Sequence, residues 1–208
     1  MIVPTTSTHP MRITLFDYGA GNLHSLAKAL AVPHADVRTE TDPVRAVDTD
    51  LLVLPGVGAF ASAAERLAPG RETMRDALQR GLPCVGICLG MQLLFDGSEE
   101  GPGEGLGVVS GPVTRLRTRR APQIGWNSVD EARDPLFDAA PVDTAYYANG
   151  YVCRPADERP VIAWSTHEDD RFPAAVRVRR TVGVQFHPEK SSAAGVHWLR
   201  TLVEEARP

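Results

Sequence analysis

Cysteine is scarce in this sequence. Cys84, Cys88 and Cys153 are the three among 208 residues, an odd and sparse set that builds no disulfide framework and suits a reducing cytoplasm. Long apolar runs are missing as well. Nothing approaches the roughly 18 residues of a membrane span, so no segment is expected to cross a bilayer. Nor is there a basic surplus. The 22 Lys and Arg face 26 Asp and Glu, a net charge of −4, which is the wrong balance for a general nucleic-acid binder. No internal repeat or low-complexity tract stands out, because the 17 prolines and 18 glycines are spread along the chain. Residues 1–10 lack the charged head and apolar stretch of a secretory signal. They are expected to form a short disordered lead, with Met11 as an alternative start. With 43% hydrophobic and 23% charged residues, a chain of this length buries a core without staples, and residues 11–208 are expected to form one domain.

What the chain does have is an alternation of strand and helix signals. Residues 12–16, 51–54 and 83–87 are short apolar runs of the kind buried on both faces, and 37–39 is a weaker one. Leu23, Leu26, Ala27 and Leu30 fall at i, i+3, i+4 and i+7 behind Asn22, which can cap a helix there. Further helices are predicted over 59–67, over 71–80 closed by Gly81, and over 89–95. The second half changes character: 113–118, 146–148, 161–165, 174–178 and 182–186 read as strands. A last helix carries Val196, Leu199 and Val203 on one face. Together these predict an α/β fold, a mostly parallel central sheet flanked by helices, with strand-rich insertions in the second half.

The chemistry concentrates at residues 86–90. Gly86-Ile87-Cys88-Leu89-Gly90 has the form of a nucleophile elbow with Cys in place of Ser. A sharp strand-to-helix turn exposes the nucleophile, flanking glycines relieve clashes, and the helix N-terminus favours thiolate over thiol. The competing reading is a buried structural cysteine. A thiolate needs a base, and a base needs an orienting group. Of the six histidines only His187 follows a clean apolar strand, and Glu189 lies two residues on, on the same side in extended geometry. Against that stands a plain solvated loop. Residues 55–58, Pro-Gly-Val-Gly at the end of another parallel strand, can turn a backbone N–H toward the cysteine and complete an oxyanion hole, or can be an ordinary turn. Residues 98–101 place carboxylates just past the elbow helix, unless they form a solvated acidic turn.

Cys84 and Cys88 are spaced C-x3-C, but no second ligand pair lies nearby, so no metal site is expected. The turn at 17–22 lacks the Lys of a P-loop, which leaves phosphate binding without support. Arg115, Arg117, Arg119 and Arg120 form a basic alternation, either a solvated face or a docking edge.

Gly-Ile-Cys-Leu-Gly-Met-Gln at 86–92, with Phe-His-Pro-Glu at 186–189, resembles the class I, triad-type glutamine amidotransferases. More narrowly, the chain is similar to the glutaminase subunits of imidazole glycerol phosphate synthase, which serve histidine biosynthesis. Asp-Tyr-Gly-Ala-Gly-Asn-Leu (17–23), Pro-Gly-Val-Gly-Ala-Phe (55–60), Ser-Glu-Glu-Gly (98–101), Gly-Trp-Asn (125–127) and Gly-Val-Gln-Phe-His-Pro-Glu-Lys-Ser (183–191) carry that likeness from about Met11 to the C-terminus. It implies Cys88 as nucleophile, His187 as base then acid, and Glu189 as its orienter. It implies an oxyanion hole from the N–H of Leu89 and the Val57–Gly58 turn. Glutamine would be held by Gln92, by Glu100 through its α-ammonium, and by backbone near Gly150 and Tyr151. Asn22, Trp126, Tyr146 and Lys190 match positions that face or brace a (β/α)8 cyclase in a heterodimer, and the Arg115–Arg120 stretch belongs to the same rim on this reading. The protein would be cytoplasmic and need no cofactor. Two departures stand out: Asn149-Gly150-Tyr151 replaces the common His-Ser-Tyr, and Pro122-Gln123-Ile124 replaces Pro-His-Met. An amidotransferase serving another synthase, a free-standing thiol hydrolase and a non-catalytic binding module are the alternatives.

Overall fold

The computed structural model describes residues 10–19 and 23–207. The chain begins with β1 (Met11–Phe16), α1 (His24–Leu30), β2 (Ala35–Glu40) and β3 (Leu51–Leu54). Next come α2 (Phe60–Leu67), one tight turn at Ala68–Gly70, α3 (Arg71–Gln79), β4 (Cys84–Ile87) and α4 (Leu89–Gln92). Every residue of β3 and β4 is buried, as expected for strands covered on both faces. Side chains alternate along them. Leu51 and Val53 pack with α1, while Leu52 and Leu54 pack with α2 and α3. The cap expected from Asn22 falls outside the described residues.

The second half adds β5 (Gly97–Ser98), β6 (Gly101–Glu104), β7 (Pro112–Arg115), β8 (Gln123–Ser128), α5 (Pro135–Ala139), β9 (Thr144–Asn149) and β10 (Tyr151–Cys153). It ends with β11 (Val161–His167), β12 (Asp170–Val178), β13 (Thr181–Val184), a tight turn at Pro188–Lys190 and α6 (Ser192–Glu205). The central sheet runs β11-β12-β13-β4-β3-β1-β2. From β13 to β2 all neighbours are parallel, and β12 is antiparallel to both β13 and β11. A smaller sheet, β10-β7-β5-β6, and the β8–β9 ribbon are the strand-rich insertions. The sheet is thus mostly parallel and flanked by helices.

Several elements end where tertiary contacts displace the local pattern. The helix predicted over 89–95 stops at Gln92, because the carbonyls of Leu93, Leu94 and Phe95 accept N–H groups from Leu106, Val108 and Gly107. The strand predicted over 113–118 stops at Arg115, and two residues later the Arg117 N–H donates to the Asp170 carboxylate. The sequence pattern does not predict β8. Only Gln123 on it is buried, so it lacks the alternation that betrays a half-buried strand. The inner face of α6 is centred on Trp198, which packs against Phe137 and Phe186.

Candidate active site

Register fixes the first half of the site. Val184 of β13 pairs with Ile87 of β4, so both strands finish at one level and residues 185 and 88 emerge side by side. Past Ile87 the backbone turns sharply. Cys88 has φ 48° and ψ −103°, a sparsely populated region whose strain surrounding structure must hold. Its N–H donates to the Val184 carbonyl at 2.7 Å. The glycine frame is a steric requirement: a Cβ on Gly86 would come within 2.6 Å of the Gly90 carbonyl, and one on Gly90 would overlap the Leu54 carbonyl. Cys88 is buried. Leu89 opens α4, so its N–H is one that a helix leaves without an intrahelical partner.

His187 and Glu189 follow β13. Nδ1 of His187 lies 2.8 Å from Oε1 of Glu189, with the two side chains 3% and 8% exposed. The reason differs from the extended geometry expected. Pro188–Lys190 is a single tight turn with Pro at its start, and that turn brings Glu189 beneath the ring. With Nδ1 occupied, Nε2 is the nitrogen left for the neighbouring Cys88. Burial opposes a charged imidazole here, but hydrogen bonds and Coulomb attraction to Cys88 and Glu189 outweigh it. They raise the His187 pKa to about 9.

The backbone under His187 is held by a closed set of bonds. Its N–H donates to the Tyr146 carbonyl at 2.8 Å, the Tyr146 N–H donates to Ser191 Oγ at 2.9 Å, and that hydroxyl donates to the His187 carbonyl at 2.7 Å. Tyr146 also meets Trp126 edge to face, ring centres 6.3 Å apart. Trp126 and Lys190 are exposed, and Tyr146 is half-buried. These three of the four expected partner-facing residues therefore adjoin the His187 segment; Asn22 lies outside the described residues.

The turn at residues 55–58 is held against Cys88 and His187. The buried Tyr18 hydroxyl donates to the Pro55 carbonyl at 2.5 Å, and burial pushes its pKa well up, which keeps it a donor. A Cβ on Gly56 would lie 2.9 Å from Cε1 of His187 and 3.0 Å from Cβ of Cys88. Val57 is half-buried, and Gly58 takes φ 107°. A cavity of about 320 Å³ adjoins this turn, lined by Leu23, Leu26, Gly56, Val57, Glu189 and Lys190 among others.

The residues expected to hold glutamine are partly engaged with the protein itself. Glu100 Oε2 accepts the Phe60 N–H at 2.9 Å, capping α2 from forty residues away. Gln92 is buried and donates to the Tyr151 carbonyl at 3.1 Å. That carbonyl also receives Asn149 Nδ2 at 3.1 Å, and the Gly150 carbonyl receives the Leu116 N–H. Gln123 and Asn149, which together with Ile124 and Gly150 are the positions that depart from the resemblance, are cross-strand partners in the β8–β9 ribbon.

Cys84 and Cys153 are fully buried, and burial pushes both thiols up. Among the described residues no cluster of three His, Cys, Asp or Glu side chains could hold a metal ion. The arginine stretch is tied to carboxylates: Arg120 pairs with Glu168, and the Arg119 N–H donates to the same group. Tyr18 and Gln185, the latter within 3.5 Å of the Cys88 sulfur, have no role assigned from the sequence. For Gln185 the signal was its position two residues before His187, on the same side of an extended segment.

A cysteine on a glycine-framed elbow, beside a buried imidazole that is bonded to a carboxylate, is the arrangement of a thiol acyl-transfer site. The profile of the family "Glutamine amidotransferase class-I" matches residues 14–205. The chain belongs to that family. Among curated relatives, "Imidazole glycerol phosphate synthase subunit HisH" of Halobacterium salinarum is 41% identical over 202 residues, 92% of each chain. The HisH subunit of Pyrococcus furiosus is 40% identical over 194 residues, 92% of this chain and 97% of its own. A solved glutamine amidotransferase from Thermotoga maritima superposes with TM-score 0.70 at 17% identity, covering 95% of this chain and 98% of that one. Another reaches 0.71 at 20%, covering 93% and 98%.

Proposed function

We propose that this chain is the glutaminase subunit of an imidazole glycerol phosphate synthase, acting in the cytoplasm as a heterodimer with a (β/α)8 cyclase. The observation that carries the proposal is the series Cys88, His187, Glu189, with the ring held on Glu189 at 2.8 Å and its pKa raised by the neighbouring sulfur and that carboxylate. The relatives named HisH supply the choice of synthase.

The reaction runs as acyl transfer in two halves. The Cys88 thiolate attacks the γ-amide carbonyl of glutamine, and backbone donors at Leu89 and the Val57–Gly58 turn receive the oxyanion. His187, charged at neutral pH, protonates the leaving nitrogen; the C–N bond breaks and ammonia departs. Water then gives a proton to the neutral ring and attacks the thioester, releasing glutamate and the Cys88 thiolate. Gln92 lines the glutamine site, and Glu100 offers its second oxygen to the α-ammonium. Gly150 and Tyr151 act through backbone groups other than the carbonyls already occupied. Ammonia in water at neutral pH is mostly ammonium and no nucleophile, so the product must pass directly into a docked synthase. Trp126, Tyr146 and Lys190 form the docking face.

Glutamate release, measured for the chain alone and with the cyclase and its nucleotide ligand, tests this reading. Strong stimulation by the pair, abolished by Cys88→Ala, is the expected result. Equal rates with and without the cyclase would reject the choice of partner, and activity surviving in Cys88→Ala would reject the nucleophile.

A further inference from the structure

Gln185 is wholly buried, and its amide nitrogen lies 3.5 Å from the Cys88 sulfur. We propose that Gln185 is a further catalytic residue, whose side-chain N–H holds the negative charge of the Cys88 thiolate alongside His187. The inference rests on the proposed role of Cys88 as nucleophile.

Three observations place it there. The pairing of Val184 with Ile87 sets residue 185 beside residue 88 on neighbouring parallel strands. The Gln185 backbone is anchored by its N–H to the Ala174 carbonyl at 2.9 Å, so the side chain starts from a fixed point. Its Oε1 is buried without a hydrogen-bond partner. A buried amide with one end unsatisfied is a costly filler, and an apolar side chain of that length would pack without the penalty. What the amide provides is a donor at the sulfur.

A donor in that place acts selectively. Hydrogen bonds to charged acceptors are roughly twice as strong as those to neutral ones, and a water-poor surrounding enlarges the difference. Gln185 therefore favours thiolate over thiol in the resting enzyme. It favours the same thiolate again as leaving group when the thioester breaks. Unlike His187 it gives up no proton, so its support is constant across both halves of the reaction.

Alkylation of Cys88 by iodoacetamide across a pH series tests this, with Cys88→Ala giving the background from Cys84 and Cys153. Gln185→Met keeps the length and removes the donor. It is expected to move the midpoint of the rate profile up by about one pH unit, a tenfold loss of thiolate at any pH below the midpoint. Gln185→Glu keeps the shape and turns a carboxylate on the sulfur, and is expected to move it further in the same direction. An unmoved midpoint in folded Gln185→Met overturns the inference. If neither variant folds, the wild-type protein decides: the side-chain amide resonances of Gln185 should titrate with the alkylation midpoint, and a flat profile overturns it. Iodoacetamide needs no glutamine. A Cys88 unreactive at every pH therefore removes the nucleophile together with this inference, whereas a reactive Cys88 with an unmoved midpoint removes Gln185 alone.

Discussion

His187 is charged or neutral according to what the sulfur beside it carries. Burial disfavours the imidazolium, and Cys88 and Glu189 together reverse that and raise its pKa to about 9. On the proposed mechanism, acylation of Cys88 removes the charge on one side, so the pKa must fall, and a ring that donated a proton to ammonia becomes one that accepts a proton from water. Cys88→Ser imitates the discharged sulfur with a neutral hydroxyl. In that variant the His187 ring is expected to titrate well below 9, toward the ordinary histidine value near 6.5, when followed by its Cε1 proton in NMR. A midpoint still at about 9 would mean that Glu189 sets the charge by itself. Cys88, His187 and Glu189 were readable from sequence because each sits in a local frame, the two glycines and the His-Pro-Glu string. Gln185 and Tyr18 were not, because their roles come from what lies across the fold: a sulfur 97 positions away and a carbonyl 37 positions away.

At the scale of elements, strands set the levels and turns do the close work. The apolar runs of β1, β3 and β4 announced themselves, since a strand buried on both faces has few alternatives to being apolar. Insertions such as β5, β6, β8 and β10 did not, because their strands are short, glycine-bearing or half exposed, and pairing rather than pattern defines them. The end of α4 was equally hidden, since it depends on a loop that arrives thirteen residues later to take the Leu93 carbonyl. The turn at residues 55–58 shows how narrow the tolerances are. Gly56→Ala places a methyl 2.9 Å from the His187 ring and the Ile87 carbonyl, so the ring must move off the sulfur. The expected outcome is a fall in kcat on the order of 10²-fold, with the fold kept and KM for glutamine little changed. Wild-type kcat in a folded Gly56→Ala would show that the turn does not bear on the ring.

For the whole molecule, what matters is which surface remains uncovered. Ile124 and Trp126, on one face of β8, are 70% and 57% exposed, and Val44 is the other large apolar side chain so exposed among the described residues. Two such side chains two residues apart, beside the segment that carries His187, suit a surface a partner covers. Trp126→Ala is expected to weaken association with the cyclase by about 2 kcal/mol, close to 30-fold in Kd, as read by calorimetry. Unchanged affinity would move the interface elsewhere.

The interior position of β13, between β12 and β4, also puts the parts of the site in a temporal order. During synthesis the elbow leaves the ribosome first, and Gln185 lies 97 positions behind Cys88, a lag of roughly 5–20 s at ordinary elongation rates. Until β13 slides into its slot, the cysteine has nothing to take its proton and no donor at its sulfur. On the proposed mechanism a truncated or half-made chain thus spends no glutamine, and the onset of reactivity reports that the last interior strand is in place.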